Sequence, residues 1–490
     1  MFCQVFAGKS GVHFTVFLII SAATTLTSSS EISESTIVYP HVYEDRQEAS
    51  EKVLLIHDGY SLNLRKASVL AKNLLLQDIN DDGISEIYVD GTFYERHLYQ
   101  DTRGEASLII KPSGNGHYDV SGLLNFTHRI EPGENSERSL SGARAHRIFK
   151  IPFKDGIHHI AEVVEDKTDW RQASAHAEKR AFPDDITIEL FYMSDYVHTS
   201  YFGNRTEERI QYATVMMHSV SLRTQQLETP SYIALTAIVG SFTKNESYVK
   251  LTGSDQLIGT ETVYAMSQQL WSNVNVRQSD VVYLATGRDI VGVRPSGISS
   301  EVLGIAYRGK ACSRFQVAVG EDIPGKLSGI HTAAHELGHL LGSDHDGEGT
   351  SRHCSAQDGF LMNPYAGGRR SFYFSNCSKT AISTFMASFD AFCLEYDWST
   401  HIFVLPDSAE KLPGAVINGT KYCEMYFGKT RNVTYVKWDS DLLKCKFRCK
   451  IGVKKNGDPE YAIRFAFDGT PCNRFKPAMV CKNTVCVRKG

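Results

Sequence analysis

The twelve residues from His335 to Asp346, HELGHLLGSDHD, constrain this chain more than any other stretch. They set His335 and His339 four positions apart with Glu336 beside the first, then Gly342, then a third histidine, His345. On a helix, side chains at i and i+4 share a face, so the first two imidazoles can grip one metal ion. Gly342 lets the chain leave the helix through a left-handed turn that a residue with a Cβ resists. That turn swings His345 round to complete a three-histidine site. Three neutral nitrogen donors leave a fourth position open to water, which is the pattern of a catalytic zinc rather than a structural one. Glu336 neighbours a ligand without being one, and is placed to take the proton from that water. The segment implies zinc-dependent hydrolysis.

The surroundings agree. Ile330, Ala333, Ala334, Leu337, Leu340 and Leu341 recur at helical spacing and predict the buried face, with Ser328 as N-cap after the Pro324-Gly325 break. Residues 359–364 read as an apolar strand-to-turn segment with Met362 at its tip. A lone methionine is usually a core filler, but this soon after a three-histidine helix it reads as the turn that floors the metal site.

The chain has 490 residues, 42% hydrophobic and 22% charged, with net charge −4, which is ordinary globular composition and too long for one core. Lys9, the apolar run 16–20 and the small residues that follow predict a cleavable signal peptide over 1–28. Nothing later reaches eighteen successive apolar residues, so no transmembrane span is expected and the mature protein is read as soluble and secreted. Cys3 falls in the leader, and the other ten of the eleven cysteines all lie at or after Cys312, an even set that suits disulfide pairing in an exported protein. Sequons at Asn125, Asn204, Asn245, Asn376, Asn418 and Asn432 point the same way. Internal repeats, nucleic-acid motifs and Gly-rich phosphate loops are absent, so no nucleic-acid partner is expected.

Along the chain, residues 29–180 hold short alternating apolar runs (53–56, 107–110, 147–151) separated by turns, and read as a mostly β segment. The segment ends in Lys179-Arg180, either a processing site for a propeptide or a solvated linker. From 181 to 400 the pattern becomes α/β. Strands are predicted at 186–193, 232–239, 281–286 and 304–307, and helices at 207–227, 262–271 and 380–389. Residues 410–490 hold six cysteines, with 16 Lys and Arg from Leu412 onward against 6 Asp and Glu, and read as a small disulfide-bound module. Its charge suits either acidic glycans and matrix or a plain solvated face. A metal site at Cys445 and Cys449 is a weak alternative to disulfides.

The HExxHxxGxxHD pattern with Met362 resembles the metzincin metalloproteases, and Asp346 after the third histidine resembles their adamalysin or reprolysin branch. Residues 304–307 followed by Cys312-Ser313, the run 374–378, the segments 122–124, 130–132 and 145–147, and 468–472 with Cys481 and Cys486 are similar to other parts of that family. The compact layout is most like the secreted salivary metalloproteases of ticks. The resemblance implies a mixed twisted sheet with a zinc helix and Met-turn, preceded by a propeptide and followed by a cysteine-rich domain. It implies a secreted endopeptidase acting on extracellular proteins, with zinc on His335, His339 and His345, and Glu336 as general base. It also implies pairings Cys312–Cys393 and Cys354–Cys377, and a structural calcium on Glu189 and Asp280, which are otherwise plain surface acids. Many family members silence the precursor with a propeptide cysteine. No cysteine lies between Cys3 and Cys312, so any latency here rests on steric cover or on another ligand. The competing reading is a binding protein whose basic module engages a receptor or matrix.

Overall fold

The computed structural model describes residues 35–489 except 45–50, 58–59, 104, 115, 134–143, 153–158, 165–184, 295–296, 366–369, 397–411, 428–432 and 483. The expected leader and the Lys179-Arg180 pair lie outside the described residues.

The alternating runs of the first third become β1 (Ser35–Val38), β2 (His41–Glu44), β3 (Glu51–His57), β4 (Tyr60–Lys66), β5 (Leu70–Asn80), β6 (Gly83–Asp90), β7 (Leu98–Asp101), β8 (Ala106–Gly114), β9 (His117–Asn125), β10 (His128–Pro132) and β11 (His146–Lys150). Nine of them form an antiparallel sheet ordered β1-β11-β10-β9-β8-β7-β4-β3-β2. The period of two decides which face each residue serves. In β8, Leu108 and Ile110 enter the sheet's own core, while Ile109 packs on the other side against the remainder of the chain.

The middle of the chain builds a mixed sheet. Its elements are β12 (His159–Val164), β13 (Ile186–Ser194), α1 (Thr206–Thr224), β14 (Ser231–Ser241), β15 (Leu257–Ile258), α2 (Gly259–Gln269), β16 (Val281–Thr286), β17 (Ile290–Arg294), β18 (Gly297–Tyr307), β19 (Val317–Glu321), α3 (Ile330–Leu340) and α4 (Asn376–Met386). Strand order is β15-β17-β18-β19-β16-β13-β14-β5-β6, with β12 joined to β18. The inner pairs β14–β13, β13–β16 and β16–β19 are parallel, and their near-continuous apolar runs follow from burial on both faces. One face packs on α1 and α3, the other on α2.

Three strands from before residue 180 enter this sheet, with β6 pairing antiparallel to β5 at its end. β5 extends it by parallel pairing from Leu70 opposite Leu235 to Ile79 opposite Ser241, and β12 runs parallel to β18 from His159 opposite Val302 to Val164 opposite Tyr307. Antiparallel pairing with β19 occupies the other side of Gly304–Ala306, so β12 fills the remaining edge of that stretch.

Residues from Leu412 onward form α5 (Gly419–Phe427), a three-stranded sheet of β20 (Thr434–Val436), β21 (Lys446–Val453) and β22 (Pro459–Phe465), and a hairpin of β23 (Met479–Lys482) and β24 (Val485–Arg488). Disulfides Cys423–Cys449, Cys445–Cys481 and Cys472–Cys486 staple it, so Cys445 and Cys449 each pair elsewhere and form no metal site together. Cys312–Cys393 and Cys354–Cys377 close the middle section. Among the described residues no helix is long and apolar enough to cross a membrane.

Candidate active site

The helix α3 begins one turn-residue later than Ser328 suggests. Gly329 is its N-cap residue and offers no side chain. The Ser328 hydroxyl instead accepts from Ile323 N–H and donates to Asp322. The buried Asp322 carboxylate takes the capping part: it accepts from Gly329 N–H at 2.7 Å, from Tyr212 Oη at 2.5 Å, and lies 2.8 Å from His198 Nε2. A carboxylate at the positive end of the helix dipole outcompetes a hydroxyl for that place.

At the other end Gly342 sits at φ +99°, and its N–H and that of Ser343 return to His339 and Gly338 carbonyls. A Cβ there would lie 2.6 Å from Phe385 Cβ, so both backbone sign and space require glycine. The following loop brings His345 back over the helix. Asp346 anchors it, with its N–H on Met362 O and its carboxylate accepting from Ser375 and Ser378 at the start of α4.

The three histidines converge. His335 Nδ1 lies 2.7 Å from Leu361 O and His339 Nδ1 lies 2.8 Å from Ser343 O. A carbonyl only accepts, so both Nδ1 atoms carry the hydrogen and both Nε2 atoms present lone pairs. Nε2 of His339 is 3.0 Å from that of His335 and 3.2 Å from that of His345. Lone pairs this close repel unless a cation sits between them. A tetrahedral zinc with nitrogen ligands would space them about 3.3 Å apart, so the donor set fits zinc. Burial holds His335 and His339 far below the ordinary histidine range, in the neutral state that ligation needs.

Glu336 is fully buried, and neither carboxylate oxygen has a hydrogen-bond partner among the described residues. Desolvation pushes its carboxyl well above the ordinary carboxylate range. Met362 is fully buried beneath the helix, where a Cβ on Gly338 would fall 2.6 Å from its sulfur.

The profile of the Reprolysin (M12B) family zinc metalloprotease matches residues 262–397, which include most of α2, and β18, the three histidines and α4. Residues 262–397 are thus similar to reprolysin-type zinc metalloproteases. The chain is 25% identical over 384 residues to the venom metalloproteinase antarease-like TtrivMP_A of Tityus trivittatus, covering 73% of this chain and 92% of that protein. It is 28% identical over 279 residues to the venom metalloproteinase BumaMPs1 of Olivierus martensii, covering 55% and 69%. It is also 30% identical over 213 residues to a disintegrin and metalloproteinase with thrombospondin motifs 16 of Mus musculus, covering 43% of this chain and 16% of that one. The enzyme is a zinc metalloendopeptidase.

The site also depends on residues that the motif alone does not reveal. A Cβ on Gly304 would stand 2.4 Å from Glu336 Oε1, so this glycine leaves the carboxylate its space beside β18. No local signal marks it, because the constraint comes from a residue far along the chain. Glu189 and Asp280 come together as expected neighbours: Glu189 N–H donates to Asp280 Oδ2 at 2.7 Å and Asp280 N–H to Glu189 O at 2.8 Å. Both are buried rather than surface acids, and Asp280 lies against the Cys312–Cys393 disulfide.

Proposed function

We propose that the protein is a secreted, zinc-dependent endopeptidase of extracellular proteins, held latent by its own residues 29–180, with 181–400 as the protease domain and 410–490 as a cysteine-rich domain. The observation that carries this reading is the convergence of the three histidine Nε2 atoms, with Glu336 buried and without a hydrogen-bond partner among the described residues on the same helix as two of them.

His335, His339 and His345 would hold the metal, with Leu361 O and Ser343 O fixing the tautomers of the first two and Met362 flooring the site. Zinc, when bound there, lowers the pKa of a water and polarises a scissile carbonyl. The Glu336 carboxylate would take a proton from the attacking water and pass it to the leaving amine, for which a pKa raised by burial suits it. An extended substrate would pair with the 304–307 edge of β18, where main-chain hydrogen bonds fix the peptide and exclude water. In the precursor β12 fills that edge, which supports steric cover as the source of latency in a segment without cysteine. Removal of the cover after Arg180 would open it. Glu189 and Asp280 would take a structural calcium, a reading supported by the burial of both acids and by the Asp280 carboxylate accepting from Glu189 N–H. The basic residues of the C-terminal module would recruit acidic glycans or matrix.

The test is incubation of the activated protein with a mixture of intact secreted proteins and, separately, with short peptides, followed by sequencing of new N-termini. New termini in intact proteins are expected. Cleavage confined to short peptides would overturn the endopeptidase-of-proteins reading.

A further inference from the structure

The N-terminal sheet is joined to the protease far more deeply than a removable cover requires. β5 forms part of the central sheet, pairing with β14 over 235–241 and leaving that strand without a free edge. Leu70, Leu74 and Leu76 of β5 lie in the same buried cluster as Leu190, Ile233, Leu235 and the zinc-helix residues Ala334 and Leu337. Leu75, pointing the other way, enters the second core beside Phe191 and Ala237. The protease therefore has no complete core of its own on either face of β14.

Polar and aromatic contacts cross the same boundary. His218 of α1 is buried, with Nδ1 2.8 Å from Ser107 Oγ and Nε2 3.2 Å from Gln100 Oε1. The Arg223 guanidinium, also buried, lies 4.9 Å from the Phe126 ring and 5.6 Å from that of Phe372, and the two rings stack at 4.2 Å. A further face is covered by the C-terminal module. Leu54 and Ile56 of β3 point into the N-terminal sheet's own core, while Val53 and Leu55 join Tyr422 and Phe447 in another. By contrast β12 adds a single strand at the outer edge of β18.

We propose that residues 35–151 are a lasting noncovalent subunit of the enzyme, and that cutting the chain ahead of Ile186 frees the substrate edge without releasing them. Separation would bare the β14 edge and apolar surface on three modules at once, which is the character of an obligate interface rather than a transient one. The partner of the protease in its mature form is thus its own N-terminal sheet. The inference rests on packing, and holds whether or not the site turns over substrate.

The experiment uses the full chain with a site for a sequence-specific protease placed between residues 165 and 184 and an affinity tag after Gly490. The protein is cut to completion, diluted to about 10 nM, captured by the tag and washed, and both fragments are quantified by mass spectrometry. More than about nine-tenths of the N-terminal fragment is expected to stay on the resin in native buffer and to leave in denaturant, as an obligate interface demands. Loss of the N-terminal fragment to the wash, with the tagged fragment still soluble and monodisperse, would overturn the proposal. Because the readout is association, an inactive protein tests it equally well.

Discussion

Gly304→Ala is the substitution whose consequence the structure defines most narrowly. The added Cβ would fall 2.4 Å from Glu336 Oε1, 2.6 Å from Thr332 Cγ2 and 2.8 Å from Glu336 Cδ. Relaxed contacts lie at about 3.5 Å, so the carboxylate must retreat by about 1 Å. The strand itself resists moving, since Gly304 is paired with Gly320 on β19 and lies opposite Ala161 on β12. Displacing a catalytic group by that distance costs on the order of 100-fold in turnover, or about 2.7 kcal/mol of transition-state stabilisation. Overpacking should also lower stability by about 1–3 kcal/mol. The histidines are untouched, so zinc binding should persist. The assay is kcat and KM on a quenched peptide after the chain is cut ahead of Ile186, with zinc per chain measured on the same sample. The expected result is a loss in kcat of about 100-fold with KM within about threefold and one zinc retained. A folded, zinc-loaded variant with kcat within about threefold of wild type would refute the argument that Gly304 makes room for Glu336.

Three further outcomes are expected. Gly342→Ala places a Cβ at φ +99° and 2.6 Å from Phe385 Cβ; it should destabilise the protein by about 1–3 kcal/mol and weaken zinc binding, as read by urea unfolding and metal competition. Burial pushes His218 down to about 3, so below its ordinary value of about 6.5 the unfolded chain gains a proton that the folded one refuses. Stability from this residue is therefore flat above pH 6.5 and falls as pH drops toward 3; between pH 7 and 5 wild type should lose about 2 kcal/mol more than His218→Gln in urea unfolding, and equal losses would count against it. Removing calcium with a calcium-selective chelator should lower the Tm of wild type and leave that of Asp280→Asn unchanged, whereas no shift in wild type would dismiss calcium at Glu189 and Asp280.

The zinc helix is legible in sequence because its demands are local: histidines at i and i+4, a glycine exit and the third histidine lie within twelve residues. Ser328 misleads as a cap because Asp322, brought in by the end of β19, is the stronger acceptor, and tertiary contact decides between them. The alternation of β3 and β8 identifies strands but not what covers their second faces. β5 carried a partial signal, since the run Leu74-Leu75-Leu76 has no polar face, as a strand buried on both sides requires. The joining of β5 to β14 and β12 to β18 depends on long-range pairing that no spacing records. Gly304 and Gly338 are likewise ordinary glycines until Glu336 and Met362 are seen beside them.

The most direct test of the central claim compares wild type with Glu336→Ala, measuring zinc per chain and turnover of an intact protein substrate on the same activated samples. The account predicts one zinc in each protein and cleavage by wild type alone. Retained cleavage by the folded, zinc-loaded variant would contradict the role of Glu336 as the base.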